Sequence, residues 1–165
     1  MNQPYNEVIK SYMNHIFNDE YEKLDKFFDP EQVTRFHSFM MQVAEKMEPR
    51  GLNKGLYRLL DIKNLNEFKS MSSAKFYKRY ISSTMRNIPK KILQETLNTF
   101  KIEKTEQLND NKVKVIYSYL KENTNRVNNT MYLTNKDDQW YVDFVNIEKT
   151  IKTMQEEFDM SDLAF

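Results

Sequence analysis

Between residues 4 and 18 the apolar side chains fall at Val8, Tyr12 and Ile16, with Ile9, Met13 and Phe17 beside them. That is the 3.6-residue spacing of an amphipathic helix, and Pro4 suits its first turn. A second helix, or a bent continuation, is expected over Asp19 to Phe28 with Tyr21, Leu24, Phe27 and Phe28 inward. Asp29-Pro30-Glu31 then marks a boundary: Asp caps, Pro fits the first turn, and an early Glu suits the positive helix end. The helix behind it should run to Met47 on Val33, Phe36, Met40, Val43, Ala44 and Met47. Pro49-Arg50-Gly51 stops it, and Leu52 to Asp61 reads equally as a short helix or an irregular hairpin, because Gly51 and Gly55 allow both. Leu65 to Met71 predicts a short helix. Ser72 or Ser73 caps a longer one to about Asn87, with Phe76, Tyr77, Tyr80, Ile81, Thr84, Met85 and Ile88 along one face. Pro89 restarts a brief helix that turns Ile92, Leu93, Leu97 and Phe100 inward.

From Phe100 the period changes to two. Four strands are predicted, Phe100 to Leu108, Lys112 to Lys121, Val127 to Asn135 and Gln139 to Val145. Asn109-Asp110-Asn111, Glu122 to Asn125 and Lys136-Asp137-Asp138 separate them, since Asn and Asp tolerate left-handed φ and bond their own backbone. Val113, Val115, Tyr117 and Tyr119 share one face, as do Val127, Met131 and Leu133, and again Trp140, Val142 and Phe144. Ile116, Leu120, Tyr132, Tyr141 and Val145 make the other side partly apolar, so helices should cover one face and a second subunit or a ligand the other. Ile147, Ile151, Met154 and Phe158 then predict a C-terminal helix that docks on its own chain, with an acidic flank of Glu156, Glu157, Asp159 and Asp162.

The pattern is that of an α+β protein: N-terminal helices packed on a curved antiparallel sheet of about four strands, plus a C-terminal helix. Length fits one domain over residues 1–165, with a mainly helical part (1–99), the meander (100–145) and a helix with tail (146–165). A domain of this size buries roughly 70% of its unfolded surface, so its core needs no staples. The chain has no cysteine, which removes disulfides, thiolate metal sites and cysteine nucleophiles, and its two glycines leave no material for a phosphate-cradling loop. No apolar run reaches a membrane span, and Met1 to Tyr5 lacks a charged and then apolar leader, so a soluble, cytoplasmic protein is expected.

Lys112-Val113-Lys114-Val115-Ile116-Tyr117 and, above all, Asn135-Lys136-Asp137-Asp138-Gln139-Trp140-Tyr141-Val142 have a further meaning. A polar tip leading into Trp and an alternating strand resembles the last hairpin of the nuclear transport factor 2-like superfamily of cone-shaped α+β domains. The helix with Phe76-Tyr77 that ends at Ile88-Pro89 is similar to the one entering their sheet. The resemblance spans roughly residues 4 to 145. It implies a cone closed by helices, and an early β-hairpin for which residues 50 to 63 hold the room. It carries over no catalytic residue, because members differ in what the cone holds.

Candidate chemistry is sparse. Tyr117, Tyr119 and Trp140 would line a cone pocket, with His37 and Asp143 the acid/base candidates. His15 and His37 lie on separate helices, and the sequence has no HxxxH, HxH or acidic loop, so neither metal nor cofactor is expected. Charge is distributed unevenly: residues 1–49 hold five basic and nine acidic groups, 50–104 thirteen and four, 105–165 seven and eleven. In the basic middle, Lys75, Lys78, Arg79 and Arg86 follow a helix, with Lys90 and Lys91 beyond. The plain explanation is a solvated helix face neutralised by the acidic ends; an anionic partner such as nucleic acid is the functional one, ranked behind it. The expected role is thus a non-catalytic binding or protein-interaction module that dimerises through its sheet. Alternatives are a small-molecule protein or enzyme using the aromatic cone, and a binder of an anionic partner.

Overall fold

The computed structural model describes residues 3–122, 125–143 and 146–157. The expected positions Asn123, Thr124, Phe144, Val145, Phe158, Asp159 and Asp162 lie outside them. The chain forms two compact units, Met1–Asp29 with Arg86–Asn146, and Pro30–Met85 with Ile147–Phe165.

In the first unit, α1 (Pro4–Phe17) buries Tyr5, Ile9, Tyr12, Met13, Ile16 and Phe17, the predicted stripe with Tyr5 added and Val8 only half-buried. It ends where Asp19 takes φ 60° and the Glu20 amide donates to the His15 carbonyl, 2.9 Å. The helix expected over Asp19 to Phe28 is instead two 3₁₀ turns, Tyr21–Lys23 and Asp25–Phe27. The left-handed Asp19 interrupts the chain at one end and the extended Phe28 before Asp29-Pro30 at the other, leaving too little chain for a regular helix. Spacing of three still brings Leu24 and Phe27 to one side, both buried, while Tyr21 stays half-exposed. Tyr12 meets Phe27 and Phe28 edge-on at 5.6 and 6.1 Å.

α6 (Lys90–Thr99) follows Pro89 as expected and leads into the sheet. β1 (Lys101–Asn109), β2 (Lys112–Lys121), β3 (Asn125–Lys136) and β4 (Gln139–Asp143) form an antiparallel meander in the order β1-β2-β3-β4. Asp137 and Asp138 take φ 53° and 61° between the paired Lys136 and Gln139, the two-residue turn that matches strand twist. Register places Val115 opposite Met131, Val113 opposite Leu133, and Leu133 opposite Val142, all buried, so the described members of the three predicted apolar sets share one face. β1 is interrupted by irregularities at Ile102/Lys104 and Gln107/Asn109, and its Lys101 and Lys104 are exposed. Bulges and lysines blunt an edge against further strand pairing.

In the second unit α2 (Pro30–Met47) matches its prediction at both ends. Gly51 takes φ 64° past the 3₁₀ turn Glu48–Arg50, and the Leu52 amide reaches the Met47 carbonyl at 3.3 Å. The ambiguous segment resolves as a helix, α3 (Lys54–Leu60), ended by Asp61 at φ 53°, so no strand of an early hairpin falls in residues 50–63. α4 (Leu65–Ser70) and α5 (Ser73–Met85) follow, the latter capped by the Ser72 hydroxyl, which accepts from the Lys75 amide at 3.2 Å. Phe76, Tyr77, Ile81 and Met85 are buried, whereas Thr84 is exposed and donates to the Ile81 carbonyl, so the apolar stripe of α5 is narrower than its sequence indicates. α7 (Ile147–Glu157) buries Ile147 and Ile151, with Met154 half-buried, and packs on α2. No helix among the described residues is long and apolar enough to cross a membrane.

Candidate functional site

β2 places Tyr117 and Tyr119 two residues apart on the buried face of the sheet. Their rings stack at 6.4 Å, and Phe100 at the end of α6 adds a third ring 5.3 Å from Tyr117. Burial, then the neighbouring Tyr119, pushes the Tyr117 hydroxyl up to about 12, which keeps it a neutral phenol. Asn129 Nδ2 donates to the Tyr119 hydroxyl at 3.1 Å. Trp140 is on the same face at β4, half-buried, and meets Tyr5 of α1 edge-on at 5.2 Å. The expected aromatic face therefore exists, largely as packing between α1, α6 and the sheet.

The acid/base candidates do not join it. Asp143 pairs with Tyr132 in register, three residues beyond Trp140, and so stands on the opposite face of the sheet. His37 belongs to the second unit, where it is buried and stacks on Phe76 at 4.8 Å with Phe68 at 5.3 Å. His15 sits in the first unit, its Nδ1 3.5 Å from Glu20, whose carboxyl also pairs with Lys23. The bond from Lys23 holds the Glu20 carboxyl below the usual carboxylate range. Among the described residues no group of three or more His, Asp or Glu side chains could hold a metal ion.

A groove of ≈ 590 Å³ opens on the first unit between α1, the end of α6 and the start of β1. Met13, Leu97, Phe100 and Ile102 form its apolar side, and Glu7, Lys10, Ser11 and Asn14 its polar rim. None of the five pocket residues expected from sequence lines it. The rim was visible in principle: 7, 10, 11 and 14 are spaced as one helical stripe beside the buried one. What the sequence could not show is that Leu97 and Ile102, on two other elements, complete the groove.

The other face of the sheet is mixed. Ile116, Tyr132 and Tyr141 are half-buried and diagonal to one another across β2, β3 and β4, since Ile116 pairs with Thr130 and Tyr132 with Asp143. Charges flank this diagonal. Glu106 pairs with Lys104 at 2.7 Å and Lys114 at 3.3 Å, and both lower its carboxyl, Lys104 the more. Lys112 Nζ lies over the Tyr132 ring, 5.5 Å from its centroid. Toward Leu120, the buried Ser118 donates to Glu103 at 2.5 Å and accepts from Arg126 at 2.7 Å, fastening β1, β2 and β3. That Ser118 bond is the first cause of the lowered Glu103 carboxyl.

The basic residues divide between the units. Lys75, Lys78 and Arg79 are on α5, and Arg86, Lys90 and Lys91 belong to the first unit. Arg79 serves as a helix cap: its Nη1 donates to the Leu60 carbonyl at 2.7 Å and the Asp61 carbonyl at 3.1 Å, the orphan acceptors ending α3. Lys90 pairs with Asp19 at 3.4 Å, and Lys75, Arg86 and Lys91 are exposed.

No family model matches the chain, and no curated protein matches it. Among solved structures it is similar to a protein named an NTF2-like transpeptidase from Campylobacter jejuni, at 15% identity and a TM-score of 0.44, over 85% of this chain and 97% of that one.

Proposed function

We propose that the chain is a non-catalytic protein-interaction module that works as a homodimer joined through the open face of its sheet. The diagonal of Ile116, Tyr132 and Tyr141 carries this reading: three large side chains aligned across three strands with salt-bridged borders. A standard interface buries about 800 Å² on each partner, so the borders at Glu106, Lys112, Lys114, Thr130 and Thr134 would enter it as well. The border holds both signs, which suits a two-fold contact in which the same patch meets itself. The bulged, lysine-bearing β1 edge favours face-to-face over edge-to-edge pairing. The test is sedimentation velocity at micromolar concentration on the full chain and on Tyr132→Glu. The expected result is a dimer that the charge converts to a monomer with unchanged circular dichroism; a monomeric parent chain would refute the reading.

A second reading, a small-molecule binder, rests on the groove, whose size falls within the ~300–1,000 Å³ of ligand sites. It takes an amphiphile, apolar part on Leu97, Phe100 and Ile102 and polar part at the α1 rim. Saturable binding of an anilinonaphthalene sulfonate that Leu97→Asp abolishes is the expected result, and a signal unchanged by that substitution counts against it. An anionic partner is the weakest of the three, because Arg79 is already committed to carbonyls.

A further inference from the structure

His37 is 5% exposed, yet its ring is only half satisfied. Nδ1 and the Ser73 hydroxyl share a hydrogen bond of 2.9 Å, while Nε2 has no hydrogen-bond partner among the described residues. Phe76 covers one side of the ring, nearly parallel at 18°, and Phe68 leans on it at 52°. The imidazole thus joins three helices: α2 through its backbone, α4 through Phe68, and α5 through Phe76 and Ser73.

We propose that His37 is an acid-sensitive latch of the second unit, which holds α2, α4 and α5 together while its ring is neutral and releases them when the ring takes a proton. A neutral imidazole presents one N–H and one lone pair, and Ser73, able to donate or accept, satisfies whichever Nδ1 carries. The imidazolium presents two N–H groups. Ser73 can accept one, and the Nε2–H, buried and without an acceptor among the described residues, would leave its charge uncompensated. Attraction of the cation to the Phe76 face offsets only part of that cost.

The charged groups on the packed elements are engaged elsewhere or point outward. Glu67 of α4 accepts from the Lys63 amide at 2.9 Å, and Lys69 pairs with Glu45 of α2 at 2.7 Å. Glu31, Arg35 and Lys46 of α2 and Lys75 of α5 are exposed, Lys78 of α5 is half-buried with an interaction of its own, and Arg79 caps α3. On α7, which also packs on α2, Glu148, Lys149, Lys152 and Glu156 are exposed. Tyr80 of α5 is kept protonated by its own burial. Burial alone accordingly lowers the affinity of His37 for a proton. With the folded value below the unfolded one, stability is complete above the unfolded value of about 6.5 and is lost as pH falls below it.

The experiment is amide hydrogen exchange of the full chain from pH 7.5 to 5.0, corrected for intrinsic rates, with a parallel NMR titration of the His37 Cε1 proton. Protection in α2, α4 and α5 should fall by up to tenfold per pH unit below about 6.5, the limit for one proton. His37→Leu should flatten that slope, and His15→Gln should leave it unchanged. An equal slope in His37→Leu overturns the latch. So does a ring that titrates at its ordinary value, a readout that stands even if the leucine variant does not fold.

Discussion

Replacing Arg79 by Met tests the reassignment of the basic helix, because Met keeps the aliphatic stem and drops the guanidinium. Two hydrogen bonds are lost. The one to the Leu60 carbonyl, 2.7 Å, is part-buried beneath a fully buried leucine; the one to Asp61, 3.1 Å, is exposed, and water replaces it. A charge-assisted bond is worth about 1.5–3 kcal/mol when its acceptor cannot be resolvated. Partial exposure at Arg79 takes the lower end, so the expected cost is about 1.5–2 kcal/mol. At roughly 2–4 °C per kcal/mol for a chain of this size, Tm should fall by about 3–8 °C. Lys75→Met, on the same helix but exposed, should stay within about 0.5 kcal/mol. Urea unfolding of the three proteins followed by circular dichroism is the assay. If Arg79→Met matches the parent, or Lys75→Met costs as much, Arg79 is a surface charge and not a cap.

Gly51→Ala should cost about 1–2 kcal/mol in the same assay, because φ is +64° while nothing lies within 4 Å of the added carbon, so the strain is in the backbone alone. Tyr117 predicts an alkaline limit. With its folded value about 12 against an unfolded 10, stability is complete below pH 10 and is lost as pH rises from 10 to 12, by up to about 2–3 kcal/mol; Tyr117→Phe should remove that share of the slope, and an unchanged slope would place the ring in solvent. We further propose that the two units unfold together as one domain: fluorescence of the single Trp140, in the first unit, and far-ultraviolet circular dichroism should trace one urea transition. Separate midpoints would show two domains.

How much was legible depended on how local its cause is. β2 has its predicted ends, β1 and β3 differ from theirs by one or two residues, and β4 starts where expected while its predicted end lies outside the described residues, because alternation and Asn/Asp turns are short-range. The segment from Asp19 to Phe28 differs from its expected helix, since helical phase in its leucine and phenylalanines also satisfies 3₁₀ turns, and the left-handed Asp19 and extended Phe28 at its two ends distinguish the two. Thr84 shows the same limit from the other side, a residue in phase with a buried stripe but facing solvent.

By itself, then, the sequence determined the α+β order, the meander, its Asp137-Asp138 turn and the more apolar face of the sheet, all consequences of periodicity and φ preference. The tertiary structure decided what the polar groups do. It parted Asp143 from Trp140 by the pleat, enclosed His37 between Phe68 and Phe76, and set Arg79 on the carbonyls of α3. It also brought Leu97, Phe100 and Ile102 against the rim of α1. Hydrogen bonds and grooves join residues far apart in the chain, and no local pattern records which partner a side chain will meet.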